Sequence, residues 1–210
     1  DALPTGEALI LVDAAGENEI VILAGANAVL AAPAAEAAMA GASLVVAQLE
    51  TPLDATEAAF RAARAHGVTT LLNAAPAAAL PQGLLSQTDI LVVNETEAAR
   101  LLGRSAALEE MVAALGARHA GGAVLTAGAA GAFWAEPDGA RHHATSLPVT
   151  VVDSTGVGDA FIGAFAAGLA AGQDAARALR QGVVAGALAC RRAGAVPSLP
   201  TLAEIEAARQ

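Results

Sequence analysis

Lysine is absent from this 210-residue chain: all 11 basic residues are arginines. A Walker-type phosphate lysine and a Schiff-base lysine are thereby excluded. Basic clusters are also missing. Arg191-Arg192 is the only adjacent basic pair, the formal net charge is -10, and nucleic-acid binding rests on clustered positive charge. No nucleic-acid partner is expected. Cysteine is limited to Cys190, which excludes an internal disulfide, sits in an apolar run as a small core residue, and suits a reducing, cytoplasmic location. No basic segment followed by an apolar one opens the sequence, so no secretory signal is expected. The longest apolar stretch near the C-terminus, Ala160 to Gly172, is 13 residues, short of the roughly 20 a membrane span needs. It reads as a buried helix, and no membrane partner is expected. The four histidines, His66, His119, His142 and His143, lack the spacing of a metal site on one helix face and read as capping or surface residues.

What the chain does have is alanine, 60 residues of it within a 55% hydrophobic composition. A core of small side chains is expected, with Leu, Val and Ile supplying the bulk. The length suits one domain over residues 1-210 with a sizeable core. Ala8 to Asp13 and Glu19 to Leu23 flank a turn-forming Ala14-Ala15-Gly16-Glu17-Asn18 and read as a hairpin. Ser43 to Ala47, Thr69 to Asn73, Asp89 to Val93 and Ala123 to Thr126 are near-continuous apolar runs of strand length, the pattern of buried parallel strands. Helical stretches lie between them: Pro33 to Ala40, Asp54 to His66, Glu95 to Leu102 and Leu108 to His119. Pro33 suits a first helical turn, and Asp54 with Glu57 reads as an N-cap and its box partner. The alternation predicts a doubly wound, three-layer α/β sheet. Gly131 to Ala135, Ala140 to Ala144 and Val149 to Val152 read as antiparallel strands around Pro137-Asp138-Gly139, with Phe133 and Trp134 as sheet packing. Two helices, Val157 to Ala171 and Asp174 to Arg191, close the pattern.

The chemistry concentrates in Asp153-Ser154-Thr155-Gly156-Val157-Gly158-Asp159-Ala160-Phe161, a glycine-rich turn before a strongly helical run. Glycines at 156 and 158 free the backbone, so consecutive N-H groups at the helix start can converge on one anion, where the helix dipole adds partial positive charge. Asp159 in that first turn would help if it accepted a proton from a nucleophile approaching the anion, a role that typically contributes about 10²- to 10⁴-fold. The plainer alternative is that Asp153 or Ser154 caps the helix and Asp159 complements its dipole. A dinucleotide fingerprint does not fit, because Gly156-x-Gly158-x-x-Phe161 lacks the third glycine and follows a late strand rather than the first.

This segment resembles the signature of the ribokinase-like (PfkB) carbohydrate kinases. Shorter pieces follow in the family's order: Thr5-Gly6, Gly16-Glu17-Asn18, Ala24-Gly25-Ala26-Asn27-Ala28, Gln48-Leu49-Glu50, Asn73-Ala74-Ala75-Pro76-Ala77, Asn94-Glu95-Thr96-Glu97 and Gly194-Ala195-Val196-Pro197-Ser198. The resemblance implies transfer of the ATP γ-phosphate to the 5-hydroxyl of D-ribose, giving ribose 5-phosphate. It implies that Asp159 is the base, that the amides of Gly156, Val157, Gly158 and Asp159 form the anion hole, and that Glu50 contacts the sugar. Asn94 and Glu97 match the N-x-x-E element that organises Mg²⁺, through water, and the nucleotide phosphates. Thr126, Gly128 and Gly131 match the T-x-G-x-x-G nucleotide loop, although alone that segment would read as an ordinary turn. K⁺ would be held by Asp153, Thr155, Ala189, Arg192, Gly194 and Ser198, hard oxygen donors that suit an alkali cation. Val183 departs from the family, standing where a polar side chain usually meets the adenine. The family's opening strand, sugar-binding aspartate and glycine-rich loop, and most of its lid, have no counterpart here, so the domain is expected to be incomplete on its N-terminal side, and a homodimer would form through that lid. Another sugar or nucleoside kinase of the same fold, or a non-catalytic nucleotide-binding remnant, are the alternatives.

Overall fold

The computed structural model describes residues 3-12 and 18-209. The apolar runs fold as expected. Strands β3 (Leu44–Ala47), β4 (Thr69–Asn73), β5 (Ile90–Asn94) and β6 (Ala123–Thr126) pair in parallel, and β7 (Ala132–Ala135) and β8 (Arg141–Ala144) add antiparallel to them. The order is simply β3-β4-β5-β6-β7-β8. A separate ribbon, β1 (Glu7–Val12) antiparallel to β2 (Asn18–Leu23), is the expected hairpin, and its turn lies outside the described residues.

Because side chains alternate across a strand, each central strand feeds two cores. Leu72, Leu91, Val93 and Leu125 point to one face, where they meet Phe60 of α2 (Leu53–Ala65), Ala98 of α4 (Glu95–Leu102) and Met111, Val112 and Leu115 of α5 (Leu108–Gly116). Leu71, Ile90, Val92 and Val124 point to the other, against Phe161, Ile162 and Phe165 of α6 (Val157–Ala170) and Leu179 and Val183 of α7 (Ala175–Ala189). The result is the three-layer α/β architecture expected from the sequence, with one helical layer drawn from the crossovers and the other from the late helix pair. Alanine explains how that pair packs: Ala160, Ala185 and Ala189 are buried among Val184 and Ile205, and Gly182 lies so close to Phe161 that a Cβ there would sit 2.9 Å from its ring.

Several local expectations need correction. Val149 to Val152 forms no strand; the Val152 N-H donates to the Cys190 carbonyl at 2.7 Å, and Val151 and Val152 are each 62% exposed. A β-branched run without a partner strand is only an extended connection. Asp54 is not an N-cap: α2 starts after Pro52, and the Asp54 carboxylate accepts from the Ala55 N-H at 2.9 Å within the first turn. Two long helices do not finish the fold, since α8 (Leu202–Ala208) follows, capped by Thr201 and Glu204 in a reciprocal box. His119 is neither cap nor surface residue but is buried, with its ring Nδ1 3.2 Å from the Thr88 carbonyl. Shorter α1 (Ala32–Ala37), with its proline in the first turn, and α3 (Gln82–Ser86) complete the helices named here. Among the described residues no helix is long and apolar enough to cross a membrane.

Candidate functional site

The carboxyl ends of the parallel strands and the start of α6 meet at one edge of the sheet, the usual place for ligands in open α/β folds. Gly156 shapes the start of α6. Its φ of 75° is left-handed, it occupies the N-cap position, and no side chain caps the helix. A Cβ at Gly156 would come within 3.2 Å of the Ala195 Cα, so the glycine is needed both for its backbone angle and for its close neighbour. The Val157 N-H reaches the Ser154 carbonyl at 3.4 Å and the Ala160 N-H reaches the Gly156 carbonyl at 2.9 Å, while the amides of Gly158 and Asp159 find no protein acceptor among the described residues. Two free amides at the positive end of a helix form an anion-binding position.

Asp153 does not cap this helix. Its Oδ1 accepts the Thr155 N-H at 2.9 Å and its Oδ2 accepts the Gly194 N-H at 2.7 Å. These backbone donors, Gly194 first, hold its carboxyl below the usual carboxylate range. The turn is thereby tied to the 194-198 segment, where Ser198, fully buried, donates its hydroxyl to the Ala195 carbonyl at 2.7 Å. Ala189 is the last residue of α7 and its carbonyl accepts the Arg192 N-H at 3.2 Å, and the Arg192 side chain pairs with Glu204 of α8. Asp153, Thr155 and Gly194 are thus in direct contact, and Ala189, Arg192 and Ser198 lie on the segment packed against them.

Thr126 ends β6 directly opposite Asn94 of β5. From Thr126 the chain makes a 3-10 turn over Gly128–Ala130, and Gly131 follows with φ 88°, so close to Ala144 that a Cβ would lie 1.9 Å from its carbonyl oxygen. Thr126, Gly128 and Gly131 line a cleft of about 660 Å³ whose other walls include Val157, Gly158 and Val183. The structure therefore joins the glycine loop, Gly158 of the α6 start and Val183 in one cavity, mostly apolar, of the size that holds a small ligand, while Asp159 faces a neighbouring groove. Cys190 also lines it, and burial pushes its thiol up.

Asn94 and Glu97 have a local task. The Asn94 side chain accepts the Glu97 N-H at 2.9 Å, and Glu97 Oε2 accepts the Asn94 N-H at 2.8 Å, which makes a capping box for α4. Glu97 is 6% exposed, and that burial raises its carboxyl above the usual range. Its other oxygen has no protein donor among the described residues. Glu50 does not line the cleft; it lies with Gln48 in a groove of about 300 Å³ beside α1 and α2. The two regions are linked by Gln48, whose Nε2 donates to Asp159 Oδ1 at 3.3 Å. Gln48 was not among the residues expected at the site. Nothing local in the sequence points to it, because the contact joins residues 111 positions apart.

Comparison with known proteins shows a family and several relatives. A model of the pfkB family of carbohydrate kinases matches residues 1-202. A ribokinase of Staphylococcus aureus is 40% identical over 96% of this chain and 68% of its own length. A ribokinase of Schizosaccharomyces pombe is 36% identical over 96% of this chain and 67% of its own length. The structure of the Arabidopsis thaliana ribokinase complexed with ribose and ATP superposes with a TM-score of 0.89 at 28% identity, covering 99% of this chain and 70% of the other.

Proposed function

The chain belongs to the pfkB family of carbohydrate kinases, and from that premise we propose that it transfers the γ-phosphoryl group of ATP to the 5-hydroxyl of D-ribose. The observation that carries the reading is the pairing of Asp159 with two unpartnered amides at the start of α6, next to a cleft that the Thr126 to Gly131 loop also lines. ATP lies in that cleft with its base toward Val183 and its γ-phosphate at Gly158 and Asp159. Asp159 takes the proton of the 5-hydroxyl as the sugar oxygen bonds to the γ-phosphorus. The bond from that phosphorus to the bridging oxygen breaks, and ADP leaves. Charge that develops on the phosphoryl oxygens meets the helix amides, preorganised in the turn, so positioning and electrostatics supply most of the rate. Glu50 holds the sugar from the β3 end.

The residues fit Mg²⁺ in an outer-sphere role. Asn94 and one oxygen of Glu97 are committed to the α4 cap, and the remaining Glu97 oxygen is free to hold a water of the hydrated ion. Bound there with the phosphates, Mg²⁺ supplies charge neutralisation for transfer. The donors around Asp153 fit K⁺: one ionised carboxylate, the Ser198 hydroxyl, and the carbonyls of Thr155, Ala189, Arg192 and Gly194, with no nitrogen or sulfur ligand. The position of transfer is tested by ³¹P NMR of the product. A signal coupled to the C5 protons is expected, and a 1-phosphate would overturn the assignment of the acceptor hydroxyl.

A further inference from the structure

Asp159 occupies an awkward place. It is the third residue of α6, inside the first turn, where a short carboxylate readily folds back onto the free N-H groups of its own helix start. Folded back, it would fill with its own negative charge the position that the transferred phosphoryl group needs. The structure shows it elsewhere: no side chain caps α6, and Asp159 Oδ1 instead accepts a hydrogen bond from Gln48 Nε2 at 3.3 Å across a sequence separation of 111 residues. Among the described residues this is the one side-chain hydrogen bond recorded for the Asp159 carboxylate.

The donor is set on a firm base. Gln48 is flanked on one side by Ala47, paired with Leu72 in the parallel ladder, and on the other by Leu49, whose N-H donates to the Ala75 carbonyl at 2.9 Å. Both neighbours are therefore fixed to the β4 side of the sheet while the amide between them reaches across to α6. An amide donates without contributing charge, so it can hold one carboxylate oxygen and leave the other with its full capacity to accept a proton. Both side chains are exposed. Such a bond adds little to global stability, and its consequence is orientation.

We propose that Gln48 is a positioning residue that draws the Asp159 carboxylate off the amides of its own helix, leaving them open to the phosphoryl group and presenting the second carboxylate oxygen to the acceptor hydroxyl. The inference rests on the assignment of Asp159 as base. It gives Gln48 a different task from Glu50, two residues on, which faces the sugar. The other acidic group that shares a groove with Asp159 is Glu206 of α8, and neither it nor Glu50 has an N-H to donate.

The test compares wild type with Gln48→Ala and Gln48→Glu, with thermal unfolding confirming that each folds. Removing the amide is expected to lower kcat about 10- to 100-fold, the scale at which misplaced catalytic groups are felt, while KM for the sugar changes by less than about 2-fold. Gln48→Glu places a second carboxylate at hydrogen-bond range, and like charges so close raise the pH at which the pair loses its proton. The acid limb of its rate profile should move up by about one unit or more. Carboxyl ¹³C titration of Asp159, assigned with Asp159→Asn, reads the same shift without turnover. That readout separates the two claims: if the enzyme proves inactive on ribose while the Asp159 titration still responds to Gln48→Glu, the positioning stands and the reaction assignment fails. Unchanged titration and kcat within about 2-fold in both variants would overturn the proposal.

Discussion

Gly158 and Asp159 are adjacent, and substitutions at the two separate chemistry from stability. Asp159→Asn keeps size and hydrogen bonding but removes the basic lone pair, so kcat should fall about 10²-fold or more with little change in KM; near-normal turnover in steady-state assays would contradict the role of base. At Gly158 a Cβ would meet nothing within 4 Å, and the backbone is helical without positive φ. Gly158→Ala should leave the melting temperature unchanged or raise it, alanine being favoured over glycine in helices by about 1 kcal/mol, yet it should slow turnover because the methyl enters the phosphoryl position. Gly156→Ala should do the reverse to stability, costing about 1–2 kcal/mol for a left-handed residue, visible in a urea titration. The role proposed for Asp159 follows from the sequence because a carboxylate beside an anion site is unusual. That of Gln48 does not, because nothing local in Gln48-Leu49-Glu50 shows that its amide meets a residue 111 positions away.

At the scale of elements, His119 shows how burial sets a pH response. It follows α5, is 6% exposed, and desolvation lowers its ring below the ordinary imidazole value of 6.5, outweighing the opposing hydrogen bond that the ring donates to the Thr88 carbonyl. The unfolded chain therefore takes up this proton before the folded one does. Stability should be full above pH 6.5 and decline as pH falls below it. Urea midpoints between pH 7.5 and 5 should show that slope, and His119→Gln should flatten it; an identical slope in the variant would assign the loss to other groups. Strand and helix identity was legible wherever an apolar run had the right length, as in β4, β5 and β6, whose residues are buried on both faces. Val149 to Val152 has the same composition but no neighbour to pair with, and pairing is a tertiary fact. Helix α8 was legible in principle, since Thr201 and Glu204 form a capping box, but its seven residues are too short for a clear apolar period. The burial of His119 is not legible in the sequence, because its depth depends on packing against Thr88 and not on its place after a helix.

On the scale of the whole molecule, an acidic chain with a net charge of -10 handles a polyanionic ligand. In the proposed function that general repulsion is offset locally, by the α6 amides, by the glycine loop and by the cations their surroundings would hold. The Asp153 to Ser198 region joins two segments more than forty residues apart through the Asp153–Gly194 bond, so an alkali cation there would stiffen the anion hole as a unit. Replacing K⁺ with Na⁺ at constant ionic strength should lower kcat several-fold, while indifference to the cation would argue against the oxygen cage. The most direct test of the central claim is ADP release from Mg-ATP, in K⁺ buffer and in the protein as encoded, with D-ribose, 2-deoxyribose, fructose and adenosine as candidate acceptors. Release that depends on D-ribose and disappears in Asp159→Asn is the expected result. No acceptor-dependent release with ribose, or equal release in the Asp159 variant, would contradict it.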